Sequence, residues 1–382
     1  MRCETFRLGD ICTFIDYRGK TPPKTSNGIP LVTAKIIKNS MIQEPQEFIA
    51  ENYYNEWMRR GIPQKGDVIF TTEAPLGEVA RIKTDDKLAF AQRIIVLEPN
   101  TQQLNAGYLF YALQDIVLKN RIAARATGTT VIGIKAAELK KVEIDLPPLQ
   151  QQEKIADILS SLDDKIELNN KINENLERQA TALFNNFYDQ AETEISFTDV
   201  IQILGGGTPK TGESGYWGGK IPFFTPKDIG SPYTLNTEKT ITEAGLARCN
   251  SRLYPINTVF VTARGTVGKV GMAGVPMAMN QSCYALVGKG IHQLLVYCYT
   301  LKVIDRLRHK ASGAVFDAVT TKDFESEHIM RLPESIEKVF LCAAEPMYQA
   351  ILNNSIENQQ LAGLRDALLP KLISGEIDVS GI

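Results

Sequence analysis

Several things are scarce in this 382-residue chain, and each scarcity closes a line of interpretation. The six cysteines (Cys3, Cys12, Cys249, Cys283, Cys298, Cys342) are irregularly spaced and form no Cys-x-x-Cys pair. A structural zinc site is therefore not expected, and scattered reduced thiols in a cytoplasmic protein are. The three histidines, His292, His309 and His328, have no metal-ligand spacing. No run of about 18 apolar residues occurs, and Met1–Asp10 is polar, so neither a membrane span nor a signal core is expected. No Asn-Pro dipeptide exists, which removes the Asn-Pro-Pro-Tyr/Phe signature of adenine methyltransferases. No Pro-Asp dipeptide opens a common nuclease metal site. Gly19-Lys20-Thr21 imitates the end of a phosphate loop, but Phe14 stands where its first glycine is required. Gly265-Thr-Val-Gly268 opens no long helix and reads as turn chemistry. No cofactor or metal is expected, and catalysis by this chain alone is not.

Charge of one sign is also missing overall: the formal net charge is −2. Locally the charge is segregated. Ile15–Ser40 carries Arg18, Lys20, Lys24, Lys35 and Lys38 against Asp16, a net of +4. Val117–Lys141 carries six bases against Glu138, a net of +5, whereas Gln150–Gln190 has a net of −4. Basic stretches suit phosphate, and an acidic segment suits another kind of partner.

What is present is a duplication. Gly19-Lys-Thr-Pro-Pro-Lys-Thr25 resembles Gly206-Gly-Thr-Pro-Lys-Thr211, and Ile29-Pro-Leu-Val-Thr-Ala-Lys35 resembles Ile221-Pro-Phe-Phe-Thr-Pro-Lys227. Asp67-Val-Ile-Phe-Thr-Thr72 with Gly77 matches Thr258-Val-Phe-Val-Thr-Ala263 with Gly268. Ala126-Thr-Gly128 matches Ala311-Ser-Gly313, and Leu168-Asn-Asn-Lys-Ile172 matches Leu352-Asn-Asn-Ser-Ile356. From Thr33/Thr225 onward the offset drifts in one direction, from 192 to 184 at Asn169/Asn353, as a true repeat requires. Each copy opens with a Gly/Pro-punctuated part bearing short β-like runs (Val68–Thr71, Ile94–Leu97, Thr258–Thr262). One helical stretch follows in each, Ala106–Ala126 and Ile291–Lys310.

A long helix closes each copy. After Pro147-Pro148, the positions Ile155, Leu159, Leu162, Ile166, Asn169, Asn173, Leu176, Ala180, Leu183 and Phe187 recur with 4-3 spacing. That is a coiled-coil seam in a helix of about 60 Å, at about 1.5 Å per residue. Asn169 and Asn173 are the polar seam residues that fix register. In the second copy Phe340, Met347, Ile351, Asn354, Leu361 and Leu368 form a similar seam after Pro333, ending at Pro370. Pro346 predicts a kink or a late start there. Two such helices pair most simply antiparallel. The expected class is α+β: two pseudo-symmetric globular parts of mixed β-sheet with helices, separated by two long antiparallel helices. The expected boundaries are 1–149 and 191–332 for the globular parts, 150–190 and 333–373 for the long helices, and 374–382 for a tail.

Leu146-Pro-Pro-Leu-Gln-Gln-Gln-Glu-Lys-Ile-Ala-Asp-Ile-Leu-Ser-Ser-Leu-Asp-Asp-Lys-Ile-Glu-Leu-Asn169 closely resembles the central conserved region of type I restriction–modification specificity subunits. Leu364-Arg-Asp-Ala-Leu-Leu-Pro-Lys-Leu-Ile-Ser-Gly-Glu-Ile377 resembles that family's C-terminal signature. The resemblance implies two target recognition domains, each reading half of a bipartite DNA site, held apart by the coiled coil. It also implies two docked methyltransferase subunits, restriction–translocation subunits that complete the enzyme, and a cytoplasmic location. The family's recognition loops are its variable parts, so the DNA-contact candidates rest on local chemistry. In the first domain they are Lys20, Lys24, Lys35, Thr71, Thr72, Gln92, Arg93, Arg121, Arg125 and Thr129. In the second they are Lys210, Lys227, Thr262, Arg264, Gln281, Arg306, Arg308, Lys310 and Ser312. Lysine and arginine suit phosphates, and arginine or glutamine can also grip guanine or adenine edges. Two other readings stay open on the residues alone: a free-standing two-domain DNA-binding regulator, and a coiled-coil adaptor that binds only proteins.

Overall fold

A computed structural model describes residues 3–17, 21–230, 232–310 and 318–381. The chain divides into two compact units, one of Met1–Lys165 with Leu361–Ile382, the other of Ile166–Gln360.

The first unit is built on an antiparallel sheet of β1 (Cys12–Asp16), β2 (Val68–Thr72), β3 (Leu76–Arg81) and β4 (Ile94–Pro99), in the order β1-β4-β2-β3. Ile94 pairs with Thr71 and Val68 with Arg81. Val68, Ile69 and Phe70 are all fully buried, because the sheet is covered on both faces and needs an unbroken apolar run rather than an alternating one. One face carries α1 (Ala106–Ala112) and α2 (Ile116–Ala123), the other the layer around Leu31, Val32 and Phe90. In that layer Ile29–Val32 pairs parallel with Ala89–Phe90. The single helix expected over Ala106–Ala126 is thus two. Asp115, 4% exposed, turns its carboxylate onto the Val117 N–H at 2.9 Å and caps a new helix instead of continuing the old one. Strand Glu4–Arg7 pairs with Glu143–Leu146, which delivers Pro147-Pro148 to the start of α3 (Leu149–Asp189). Gln152, 1% exposed, donates to the carbonyls of Gln103 and Pro147 and accepts from the Asn105 N–H, fixing the root of α3 to the domain.

The second unit repeats the plan. Its sheet joins β5 (Ile201–Gly205), β6 (Tyr233–Thr234), β7 (Val259–Thr262), β8 (Val270–Ala273) and β9 (Cys283–Gly288) in the order β5-β9-β7-β8-β6. Trp217–Phe224 pairs parallel with Ala278–Met279, and Thr193–Ser196 pairs with His328–Arg331, as their counterparts do in the first unit. Here the helix stays whole as α4 (Gln293–Lys310). Within it Thr300 returns its hydroxyl to the Val296 carbonyl at 2.6 Å and leaves the helical ladder intact.

The second long helix, α5 (Glu334–Ser374), opens directly after Pro333. The late start expected at Pro346 does not occur, and the helix passes Pro370 to end at Ser374, before Gly375 at φ +76°. Both prolines lie on exposed faces, as do Cys342 and Asp366, whose carbonyls the rings leave without a donor; water can satisfy them there.

Within each unit α3 and α5 run antiparallel. In the first, Ile155 and Leu159 share a core with Leu372, and Arg365 donates to Asp163 at 2.7 Å. In the second, Asn169, 1% exposed, donates to the Glu357 carboxylate at 2.7 Å and to Asn358 Oδ1 at 2.9 Å. Asn354 donates to Asn173 Oδ1 at 2.8 Å. Ile351 is buried, while Leu162, Ile166, Leu176, Met347, Leu361 and Leu368 are half-buried along the pair. The expected seam changes phase near its end. Ala180, Phe184 and Tyr188 are buried there, with Leu183 and Phe187 only half-buried. The helix at that point packs into the second unit's core, where Phe184 contacts Tyr299 and Phe340 edge to face.

Candidate nucleic-acid interface

In both units the same three segments meet at one end of the main sheet: the loop after Ile29–Val32 or Trp217–Phe224, the turn between β2 and β3 or β7 and β8, and the turn entering β4 or β9. In the first unit Lys35, Lys38 and Asn39 line a cleft with Ala74, Pro75 and Glu78. A neighbouring cleft of about 250 Å³ lies between Thr72, Glu73, Gln92, Arg93, Thr127 and Lys135. In the second unit Lys227, Lys239, Arg264, Thr266, Asn280 and Ser282 line one cleft of about 470 Å³.

The hairpin turns are built from buried threonines. Thr71 is fully buried; its hydroxyl donates to the Pro75 carbonyl at 2.7 Å and accepts from the Glu78 N–H at 2.9 Å. Thr262 does the same with the Thr266 carbonyl and, at 2.9 Å, the Lys269 N–H. The turns close through Gly77 at φ +85° and Gly268 at φ +75°, a conformation that costs glycine nothing. Thr72, 2% exposed, bonds through its backbone: its N–H donates to the Arg93 carbonyl at 2.8 Å and its carbonyl accepts from the Ile134 N–H at 2.9 Å. Thr71 and Thr262, expected to touch DNA, are therefore corrected to scaffold, because both are fully buried and their hydroxyls are engaged within the turn; Thr72 lines the cleft beside Gln92 and Arg93.

Lys35, Gln92, Arg93 and Thr129 are exposed around the first unit's clefts, and Lys210, Lys227, Arg264 and Gln281 are exposed in the second. Gln281 accepts from the Thr208 hydroxyl. Arg93 stands at φ +73° and its Nε donates to Glu73 at 2.9 Å. Other candidates also make pairs within the protein. Lys24 pairs with Glu47 at 2.7 Å. Arg121 bonds Asp145 at 2.8 Å and the Glu143 carbonyl at 2.9 Å. Burial works against the Asp145 charge, but the Thr5 hydroxyl and the Arg121 guanidinium outweigh it and hold its carboxyl below the usual range. Arg125 and Lys141 both pair with Glu138. Arg306 and Lys310 neutralise Glu327, whose side chain is 2% exposed, and Arg308 donates to the Gly268 carbonyl at 2.6 Å. Arg121, Arg125, Arg306, Arg308 and Lys310 thus each have a partner within the protein. Lys20 and Ser312 lie outside the described residues.

Sequence reasoning passed over Lys38, Lys135, Glu73, Lys239 and Asn280, which line the same clefts. Adjacency to a repeat-matched position could have found Glu73, next to Thr72, and Lys38, three residues after Lys35; Lys135, Lys239 and Asn280 carry no such signal. Among the described residues no cluster of three or more His, Cys, Asp or Glu could hold a metal. Burial pushes the Cys12 and Cys283 thiols up to about 12, so neither offers a thiolate near neutral pH. No helix of the described residues is long and apolar enough to cross a membrane.

Comparison with known proteins agrees with the duplication. The family model described as type I restriction modification DNA specificity domain matches twice, at residues 2–178 and 192–339. The chain is 26% identical over 380 residues to the type I restriction enzyme MjaIX specificity subunit of Methanocaldococcus jannaschii, covering 92% of this chain and 87% of that one. It is 23% identical over 399 residues to the HindI specificity subunit of Haemophilus influenzae, covering 82% and 87%. The crystal structure of a type I restriction–modification S subunit from M. genitalium superposes with a TM-score of 0.63 at 16% identity, over 97% of this chain and 96% of that one, and shows the same fold.

Proposed function

The chain belongs to the type I restriction–modification DNA specificity family, and from that premise we propose how it works as the sequence-reading, non-catalytic subunit of such an enzyme. Residues 1–149 and 191–332 act as two target recognition domains, each addressing one half of a bipartite double-stranded site. The paired helices, 150–190 and 333–373, set the gap between the half-sites and dock two methyltransferase subunits. Restriction–translocase subunits join the same assembly in the cytoplasm. Adenine methylation and cleavage are chemistry of the partners.

The observation that carries this reading is the recurrence of one three-segment, basic-rimmed edge in both repeats. Lys35 and Lys227 occupy equivalent, exposed places on it and suit phosphates. The long helices offer other chemistry: α3 is acidic and exposes Leu168 and Ile172, 52% and 39% exposed, one turn apart. The test uses the chain co-purified with a type I methyltransferase subunit that binds it. The complex should methylate a bipartite motif, and the chain alone should transfer no methyl group. Lys35→Ala with Lys227→Ala should flatten the salt dependence of binding by about 0.9 in log–log slope per lost phosphate contact, without changing the motif. Replacing Leu168 and Ile172 by Asp should release the methyltransferase and spare the DNA edge. Methylation without any sequence preference would refute the reading.

A further inference from the structure

We propose that Arg93 reads a guanine in the half-site addressed by the first domain, and that Glu73 is the positioning residue that holds it in the reading pose. This rests on the DNA-reading function proposed above. Arginine recognises guanine by laying two parallel N–H donors on O6 and N7, while adenine opposes one of those donors with its own amino group. The fork must therefore be free and its direction fixed. In this unit the Glu73 carboxylate takes the Nε–H at 2.9 Å, and among the described residues nothing in the protein engages the two terminal nitrogens. The side chain is 44% exposed, at the rim of the cleft that also holds Gln92 and Lys135.

The backbone points the same way. Arg93 sits at φ +73°, where L residues other than asparagine and aspartate are uncommon. It is clamped there by its carbonyl, which accepts from the Thr72 N–H at 2.8 Å, and Thr72 in turn accepts from Ile134. A strained residue persists only where its surroundings over-determine it, and such residues cluster at functional sites. Stability does not account for the arrangement. An ion pair whose two side chains are 44% and 40% exposed contributes little, and glycine would fit the turn without strain.

The repeat sharpens the inference. Counting from Thr71/Thr262, Glu73 corresponds to Arg264; counting from Gln92/Gln281, Arg93 corresponds to Ser282. The guanidinium has moved from the strand-entry turn to the hairpin turn, and among the described residues Arg264 makes no ion pair. The two domains thus carry different donor patterns at one shared place, as readers of two different half-sites would.

The test is methylation of a library randomised across both half-sites by the complex with its methyltransferase. Arg93→Gly suits φ +73° and should melt as the wild type does. It should lose discrimination for guanine at one position of one half-site by about 5- to 150-fold, with the other half-site unchanged. Arg93→Lys keeps the charge but not the fork; it should relax the same position while retaining the salt dependence, and would serve alone if the glycine variant failed to fold. Glu73→Ala should relax that position partly, and Glu73→Gln, whose amide oxygen can still accept from Nε, should restore it. Uniform weakening across all sequences would make Arg93 a phosphate contact, and an unchanged motif would make it a surface ion pair; either overturns the proposal. A wild-type complex with no motif at all would instead overturn the function on which it rests.

Discussion

Replacing Thr71 by valine separates scaffold from contact in one measurement. Valine matches the shape of threonine but removes the hydroxyl, so two backbone groups lose their partner: the Pro75 carbonyl at 2.7 Å and the Glu78 N–H at 2.9 Å. A buried backbone group left without a partner costs about 1–3 kcal/mol. Glu78 is half-buried and Pro75 exposed, so water reaches part of the turn and the low end of that range applies to each. The sum is about 2 kcal/mol. For a domain of this size about 1 kcal/mol shifts the midpoint by about 2–4 °C, so the first unit should melt about 4–8 °C lower. Thr71→Ser keeps the hydroxyl and gives up one methyl, so it should recover most of the loss. The assay is calorimetry of the purified chain beside DNA affinity of the assembled complex. If Thr71→Val melted like the wild type but bound DNA many-fold more weakly, the hydroxyl would be a DNA contact, and the account of the turn would be wrong.

Three further outcomes follow from named contacts. Asn169→Ala removes a charge-assisted bond to Glu357 and a neutral one to Asn358, but it also removes a buried Oδ1 that has no partner, so the net loss should be about 1–2 kcal/mol by thermal unfolding; a larger loss would mean that this carbonyl is satisfied in solution. Burial raises the Glu177 carboxyl above its usual value despite a bond from the Tyr297 hydroxyl. The folded chain therefore binds that proton more firmly than the unfolded chain, and stability falls as pH rises through the window above the ordinary glutamate value. Glu177→Gln should melt higher than the wild type at pH 7, with the gap closing below that window; a gap independent of pH would contradict the assignment. Arg121→Ala should cost about 1 kcal/mol, since its partner Asp145 is about as exposed as itself, and should leave DNA affinity within about twofold. Because the Asp145 carboxyl is held low, its contribution is present above the unfolded value and lost on acidification, so wild type and variant should converge at low pH.

The parts of the fold legible in the sequence were those written in local patterns. Four–three spacing named the faces of Ile155, Leu159, Asn169 and Ile351, all buried in the structure, because heptad periodicity depends only on residues a turn or two away. It missed Phe184 and Tyr188, whose burial is dictated by Tyr299 and Phe340, far along the chain. Proline was over-weighted at 346 and 370, since its cost depends on whether the freed carbonyl meets water, which sequence does not state. At the candidate interface the limitation is of the same kind. A basic residue declares its charge in the sequence but not its partner. Asp145 lies 24 residues from Arg121 and Glu327 lies 21 from Arg306, so these arginines looked available until the fold brought their carboxylates to them.

The duplication supplies what a lone sequence lacks, two solutions to one structural problem. Positions kept in both halves must serve what the halves share. Thr71 and Thr262 hold the hairpin, Gly77 and Gly268 let it turn, and Lys35 and Lys227 stand exposed beside it. The phosphate backbone is likewise common to any two half-sites, so a lysine retained in both copies fits it best. Base edges are not common to two different half-sites. A residue that reads them is free to change, and at this edge it has: Glu73 against Arg264, and Arg93 against Ser282. On sequence alone a position matched in both halves gains weight as a DNA contact, yet Thr71 and Thr262 match and are buried. The geometry reverses that weighting for sequence reading: retained residues build the edge and meet the phosphates, and exchanged residues around the same cleft choose the bases.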